Sequence, residues 1–235
     1  MSLQIHTIKL GFDQCYLIGD KDWIMIDAGE SNKKKNFLKK LASLGIKPEH
    51  IKLIIITHGH WDHIGSAKDI KEITGAKIAM HENEKEWLEK SMIIHPPGVT
   101  LWGKIFSKII PLIKPRIKIP STKVDIVLGN KSVFLNEYGI EGSIEFTPGH
   151  SSGSVSVMLE TGEAFVGDLL MNKFPLRMSP GLPIFAEDLS KVKQSLELLL
   201  EKGVRKIYPA HGKSFNADIV HKELKKLDIH AVNCN

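Results

Sequence analysis

A short segment rich in metal-binding side chains constrains this chain more than any other feature. Directly after the apolar run Leu53–Ile56, the residues Thr57-His58-Gly59-His60-Trp61-Asp62-His63 place three imidazoles and a carboxylate within six positions. The apolar run predicts a buried strand, and imidazole with carboxylate favours zinc, iron or manganese over calcium or magnesium. His58 and His60 are two residues apart and point to the same side of an extended segment. Unpaired buried imidazoles cost free energy, which makes a metal-free turn the weaker interpretation.

Three further candidate ligands each follow an apolar run. His150 ends the segment Phe146–His150, Asp168 ends Phe165–Asp168, and His211 follows Ile207–Ala210. Taken singly, each could be an ordinary loop histidine or a helix cap. Together with the first segment they make seven candidate ligands, which are enough for two metal ions.

The order and spacing of these residues resemble the metallo-β-lactamase superfamily, whose His-x-His-x-Asp-His motif is present here at His58–His63. The resemblance extends over Ile24–Gly29, Thr147–Gly153 and Phe165–Asp168, and so over most of the chain apart from a central stretch. It implies an α/β (α+β) fold, the four-layer αββα sandwich, with the metals at one edge. The ligand assignment that it implies is His58, His60 and His150 for one ion, Asp62, His63 and His211 for the other, and Asp168 as a bridge between them.

The resemblance also implies a mechanism. Two ions about 3.5 to 4 Å apart lower the pKa of a shared water enough to supply hydroxide near neutral pH. A metal-bridging hydroxide would then attack the substrate, and Asp62 is the candidate to carry a proton to the leaving group. We expect two divalent ions as cofactors, with zinc favoured and iron or manganese as alternatives. Asp27 is a candidate to orient a ligand imidazole, or else simply a turn residue before Gly29.

Two of the motifs indicate which type of bond the protein cleaves. The stretch Thr147–Ser154 with Val166–Asp168 is similar to the hydroxyacylglutathione hydrolase and lactonase groups, which favours an ester, thioester or lactone. Asp62 in the first motif argues against antibiotic cleavage. A metal-dependent phosphodiesterase or nuclease is the runner-up, and a non-hydrolytic metal-binding or redox protein is the third hypothesis. The candidates for substrate contacts, each with a surface-loop or core-packing alternative, are Lys173, Arg177 and Tyr208.

A helical insertion is predicted at about residues 84–123, within a single domain that spans residues 1–235. A short helix is expected around Trp87–Met92, and a longer amphipathic helix with a break at Pro111 follows it. Its apolar stripe comprises Leu101, Trp102, Ile105, Phe106, Ile109, Ile110 and Ile113. As a lid over the metals, this stripe favours a small-molecule substrate with an acyl or apolar portion. Packing on the core, pairing in a homodimer and contact with a membrane surface remain open alternatives.

Composition sets the remaining bounds. A chain of 235 residues with 42% hydrophobic and 25% charged residues predicts one globular core. The net charge of +5 permits nucleic-acid binding, but the basic run Lys33–Lys35 is typical of a solvated helix face. The start of the chain lacks the features of a signal peptide, no apolar stretch reaches the length of a membrane span, and Cys15 and Cys234 are far apart in sequence. These features predict a cytoplasmic protein.

Overall fold

The computed structural model describes residues 3–95, 97–113 and 117–232, which form two mixed sheets with helices on their outer faces. The first sheet has the strand order β1-β2-β3-β4-β5-β6. Strands β1 to β3 pair antiparallel, and β3 to β6 pair parallel. The strands are β1 (Gln4–Lys9), β2 (Gln14–Gly19), β3 (Trp23–Ile26), β4 (Ile51–Ile55), β5 (Lys77–His81) and β6 (Ile126–Leu128).

The second sheet has the order β12-β11-β10-β9-β8-β7. Its pairs are antiparallel except for β10 and β11, which are parallel. The strands are β7 (Val133–Phe134), β8 (Gly142–Phe146), β9 (Val155–Leu159), β10 (Glu163–Phe165), β11 (Lys206–Tyr208) and β12 (Phe215–Asn216).

The helices begin and end at residues that favour those positions. Helix α1 ends at Gly45, whose left-handed backbone lets its N–H donate to the last turn. Helix α6 begins after Asp188, whose carboxylate accepts the N–H groups of Ser190 and Lys191. The helices are α1 (Lys34–Leu44), α2 (Trp61–Ile64), α3 (Ala67–Thr74), α4 (Lys85–Glu89), α5 (Leu101–Ile113), α6 (Leu189–Glu201) and α7 (Asp218–Val232).

Three apolar clusters lie between four layers. In β3, Trp23 and Met25 pack with helices α1 and α3, whereas Ile24 and Ile26 pack between the two sheets, as the two-residue period of a strand requires. A third cluster joins the second sheet to α6 and α7 through residues such as Leu196. The helix–sheet–sheet–helix arrangement confirms the predicted fold class.

The structure departs from the sequence expectations in local detail. Helix α5 continues through Pro111 to Ile113, so the predicted break is wrong. Proline there removes one backbone hydrogen bond only two residues before the helix ends, which leaves the earlier turns intact. The side chains of Ile110 and Ile113, and all of Cys234, lie outside the described residues. Within the part of the chain that the structure describes, no helix combines the length and apolar character needed to cross a membrane.

Candidate metal centre

The candidate ligands lie where strands end, at one shared edge of the two sheets. After β4, Ile56 donates its N–H to the carbonyl of Ala79 at 2.9 Å, and the chain then turns into α2 with His60 at the helix start. The loop from Thr57 is tied to the second sheet because Val155 donates its N–H to the Thr57 carbonyl at 2.8 Å. Loops after β8, β10 and β11 carry the other candidates to the same edge.

All seven predicted ligands meet in this place. Within each of three groups, the ligand atoms lie within 4.8 Å of one another. The groups are His58 with His60 and His150, His58 with His63 and Asp168, and Asp62 with His63 and His211. The first and third groups have the composition that the sequence predicted for two ions.

Asp168 lies between the groups. Its Oδ2 is 3.3 Å from His211 Nε2 and 3.7 Å from His150 Nε2, and its Oδ1 is 3.5 Å from His63 Nε2. One carboxylate therefore contacts imidazoles from both predicted metal positions. Nε2 of His58 is buried and has no hydrogen-bond partner among the described residues, an arrangement that a metal ligand bond would satisfy. The chemistry and burial of this donor set fit a divalent transition metal.

Two imidazoles are oriented through their outward-facing nitrogens. Asp27 Oδ2 is 2.9 Å from His63 Nδ1, and its other oxygen accepts the N–H of Thr57 at 2.8 Å. His150 Nδ1 is 2.8 Å from the carbonyl oxygen of Phe185. In both cases Nε2 faces the other candidate ligands, which is the arrangement expected when an acceptor fixes the ring and its tautomer.

The two predicted metal positions differ in electrostatics. Burial lowers the pKa values of His58, His60 and His150, which makes them neutral donors near pH 7. Burial also opposes the charged form of His211, but the Asp168 and Asp62 carboxylates outweigh it and raise its pKa to about 10. Burial alone would raise the pKa of Asp62, yet His211 lowers it to about 2. The carboxylates thus create negative potential that attracts a cation.

Glu84 is a buried residue that supports the site and was not predicted from the sequence. Its side chain is fully buried, and its two oxygens each accept a backbone N–H at 2.5 Å, one from Gly59 and one from Gly153. Gly59 separates His58 from His60, and Gly153 follows His150 by three residues. A single carboxylate therefore joins the two loops that carry the first group of imidazoles. Nothing in the local sequence signals this, because both contacts are with the backbone of distant residues.

Asp13 is a second buried carboxylate that the sequence analysis missed. It lies in the turn between β1 and β2, and its exposed fraction is 0%. Burial raises its pKa well above the usual value, with the charges of His63 and His211 acting in the opposite direction. A Gly-Phe-Asp turn between two strands gives no hint of this location in the sequence.

An apolar pocket opens onto the candidate ligands. Its volume is about 270 Å³. His60, Asp62, His150, Asp168 and His211 form its polar end. The remaining lining residues are Phe12, Trp61, His95, Phe106, Met171, Pro175, Leu176 and Phe185. The pocket can hold an uncharged group several carbon atoms long against the cluster of ligands.

The family of this chain follows from its match to a sequence model. The model that describes the metallo-beta-lactamase superfamily matches residues 9–211. This chain belongs to the metallo-beta-lactamase superfamily. The fold agrees, because the crystal structure of the BLEG-1 B3 metallo-beta-lactamase superposes with a TM-score of 0.72 at 21% identity, covering 95% of this chain and 99% of that chain.

Curated relatives of this superfamily member are named as hydrolases. The probable metallo-hydrolase MJ0888 of Methanocaldococcus jannaschii is 30% identical, over 84% of this chain and 86% of that protein. The hydroxyacylglutathione hydrolase of Pelagibacter ubique is 25% identical over 72% of this chain. The matched region spans only 56% of that enzyme, and 64% of a probable metallo-hydrolase of Bacillus subtilis. The chain is accordingly a metal-dependent hydrolase of the superfamily.

The three candidate residues for substrate contacts each contact other residues of the chain. Lys173 donates to the carbonyl of Phe12, and its ammonium lies 3.6 Å from the centre of the Phe12 ring. Arg177 donates to the carbonyl oxygens of Ser179 and Leu182, at 3.3 and 2.9 Å, and so supports its own loop. Tyr208 packs between the sheets, with its ring stacked 4.7 Å from that of Phe165. Lys173 thus contacts Phe12, which lines the pocket.

Proposed function

We propose that this protein is a binuclear metal-dependent hydrolase that cleaves an ester, thioester or lactone bond in a substrate with an apolar acyl portion. The observation that carries the proposal is the cluster of seven candidate imidazole and carboxylate ligands, five of which line one end of an apolar pocket. The name of the Pelagibacter relative, hydroxyacylglutathione hydrolase, is in keeping with an acyl substrate.

The proposed roles follow from the contacts. His58, His60 and His150 would hold one ion, Asp62, His63 and His211 the other, and Asp168 would contact both. Two divalent ions held there, with zinc favoured by these donors, would supply a polarising charge and would lower the pKa of a water. Asp62 lines the pocket, with its Oδ2 3.4 Å from His211 Nε2, and we assign to its carboxylate the transfer of a proton to the leaving group.

The orienting contacts prepare the ligands before substrate binds. Asp27 holds the ring of His63, and the Phe185 carbonyl holds that of His150. Glu84 joins the loop after His150 to the segment that carries His58 and His60. Rings held in this way need not reorganise during the reaction, which lowers the barrier that a mobile site would have.

We further propose that the segment around α5 is a lid within a single functional domain. Phe106 from α5 lines the pocket. Ahead of the helix, Gly98 pairs with Phe185, whose carbonyl holds His150, and Val99 donates its N–H to Ile184. A Cβ at Gly103 would lie 2.0 Å from the Ile184 carbonyl oxygen, so α5 packs against this segment at closest approach. The helix therefore excludes water from one side of the pocket.

The lining favours a carbonyl substrate over a phosphodiester. A phosphodiester that carries further phosphates would gain from lysine or arginine contacts near the metals. Among the described residues that line the pocket, none is lysine or arginine, and six are aromatic rings or aliphatic chains that would contact an acyl group. These are Phe12, Trp61, Phe106, Met171, Leu176 and Phe185.

The test is a substrate panel assayed with metal-loaded protein. Acyl thioesters, p-nitrophenyl esters and lactones of increasing chain length are compared with bis(p-nitrophenyl) phosphate for wild type, Asp168→Ala and the exposed control Asp22→Ala. We expect the wild type to hydrolyse the carbonyl substrates, with kcat/KM rising as the apolar chain lengthens. Asp168→Ala removes a ligand from both metal positions and should lower this activity at least 10³-fold. Asp22→Ala should not lower it. Turnover of the phosphodiester alone would replace this proposal with a phosphodiesterase.

A further inference from the structure

An exposed apolar surface lies beside the pocket and has no part in the proposed chemistry. On α5, Leu101 and Leu112 are 79% and 74% exposed, and Trp102, Ile105 and Ile109 are between 42% and 46% exposed. From the segment after Asp168, Phe174 and Met178 are 75% and 93% exposed. We call these seven residues the apolar rim. On a monomeric protein, exposed hydrophobic residues are usually scattered singly, whereas these are grouped in two segments.

The two segments of the apolar rim form one surface. The indole N–H of Trp102 donates to the carbonyl of Pro175 at 2.6 Å, which joins α5 to the loop that carries Phe174. The same two segments supply Phe106, Pro175 and Leu176 to the pocket wall. The apolar rim is therefore continuous with the mouth of the pocket.

Positive charge borders this surface. Lys104 and Lys108 are exposed and lie one turn apart along the edge of the α5 apolar face. The sequence has no aspartate or glutamate between Glu89 and Asp125, nor between Asp168 and Glu187. A second copy of this chain would present the same lysines to the interface, so charge complementarity favours an anionic partner instead.

We propose that the apolar rim binds the surface of an anionic lipid bilayer, with α5 parallel to the membrane plane. A helix with an apolar face, flanking lysines and an indole at the boundary has the properties of helices that lie in the lipid headgroup region. The exposed Leu101, Ile105, Ile109 and Leu112 would enter the acyl boundary while Lys104 and Lys108 contact lipid phosphates. The mouth of the pocket would then face the bilayer, where molecules with apolar chains are concentrated.

The test measures co-sedimentation of the metal-loaded full chain with vesicles, which requires no turnover and is therefore independent of the proposed function. Vesicles of phosphatidylcholine alone are compared with vesicles that contain 30% phosphatidylglycerol, a probe composition chosen for its negative charge. We expect at least tenfold stronger partitioning onto the anionic vesicles, weakened by 0.5 M salt because exposed charges are screened. Equal partitioning, or none onto either vesicle, would overturn the proposal.

Matched variants separate this surface from the net charge of the chain. Lys104→Gln with Lys108→Gln should lower partitioning about 25-fold, at about fivefold for each lysine near an anionic surface. Lys34→Gln with Lys35→Gln removes the same charge from exposed positions on α1 and should change partitioning less than twofold. Equal effects of the two pairs would overturn the proposal.

The apolar contribution has its own pair of variants. Leu112→Ser should lower partitioning onto the vesicles about tenfold. Leu38→Ser changes an exposed leucine on α1 and should leave partitioning unchanged. Thermal unfolding and circular dichroism verify that each variant is folded. Analytical ultracentrifugation without lipid tests the alternative that a second copy of the chain covers the apolar rim. A wild-type dimer that is dissociated by Leu112→Ser would support that alternative and contradict membrane binding.

Discussion

At the scale of single residues, the candidate metal centre depends on carboxylates that are not themselves ligands. Asp27 contacts an imidazole ring of the site, and Glu84 accepts two backbone N–H groups from the loops that carry other imidazoles. Asp27 has a left-handed backbone with φ of 60°, a conformation that Asp and Asn adopt more readily than most residues. Each carboxylate can be tested by an isosteric amide.

Asp27→Asn should weaken metal binding while the fold is retained. Asparagine fits the left-handed backbone, but its neutral amide is a poorer partner for His63 Nδ1 than a carboxylate. We expect about 10- to 100-fold weaker metal binding, measured by competition with a chromophoric chelator. Asp22→Asn, at an exposed position whose carboxylate forms a surface ion pair with Lys52, is the control. Unchanged affinity in Asp27→Asn would show that this contact does not support the site.

Glu84→Gln should loosen both ligand loops at once. The glutamine amide can accept at its oxygen but turns an N–H₂ group toward the second backbone donor. With one buried N–H unsatisfied, we expect the free energy of unfolding to fall by about 1–3 kcal/mol, together with weaker metal binding. Calorimetry of metal-free protein and chelator competition measure the two effects.

The matched control for this substitution lies on the same short helix segment. Glu86→Gln changes an exposed carboxylate that forms a surface ion pair with Lys90, and a pair of this kind contributes little to stability. If Glu86→Gln destabilised the protein as much as Glu84→Gln, the joining role of Glu84 would be excluded.

At the scale of elements, α5 has two faces with separate roles. Phe106 faces the pocket, whereas Ile109 lies on the exposed side of the same helix. Phe106→Ala should enlarge the acyl end of the pocket and lower kcat/KM for a medium-chain acyl ester about tenfold, with metal content unchanged. The kinetics are measured without lipid, so that Ile109→Ala serves as a neutral control. A Phe106→Ala enzyme with wild-type chain-length preference would contradict the lid.

Several strands and helices could be predicted from the sequence, and others could not. The apolar runs that end at His58, His150, Asp168 and His211 predicted strands whose ends meet, and in the structure those residues do lie together. The periodicity of Leu101 to Ile109 likewise predicted α5. Strand β5 and helix α7 were not predicted, because the short run Lys77–His81 and the lysine-rich stretch after Asp218 carry weak patterns on their own.

The remaining omissions concern contacts between residues far apart in sequence. Glu84 binds the backbone of Gly59 and Gly153, which are 25 and 69 positions away, and no pattern in one sequence encodes such a contact. Lys173 is a candidate for binding a substrate anion, and its sequence position does not reveal its contact with the carbonyl of Phe12. Ligand types can be read from residue identity and position at strand ends, whereas supporting contacts require the folded chain.

At the scale of the whole molecule, the centre joins the two sheets, so metal binding should stabilise the entire fold. His58 and His63 follow the first sheet, and His150, Asp168 and His211 follow strands of the second. A thousandfold excess of free metal over its Kd stabilises a protein by about 4 kcal/mol, provided that the unfolded chain does not bind it. Removal of metal by chelator should lower Tm by several degrees, and metal readdition should restore it. A Tm that is indifferent to metal would contradict a centre shared by both sheets.

The most direct test of the central claim is a titration of metal-free protein with zinc in which bound metal and ester hydrolysis are measured on the same samples. A binuclear hydrolase predicts that binding saturates at two ions per chain and that activity reaches its maximum only as the second ion binds. Binding that saturates at one ion with full activity would contradict the binuclear centre, and two bound ions without hydrolysis of any carbonyl substrate would contradict the proposed reaction.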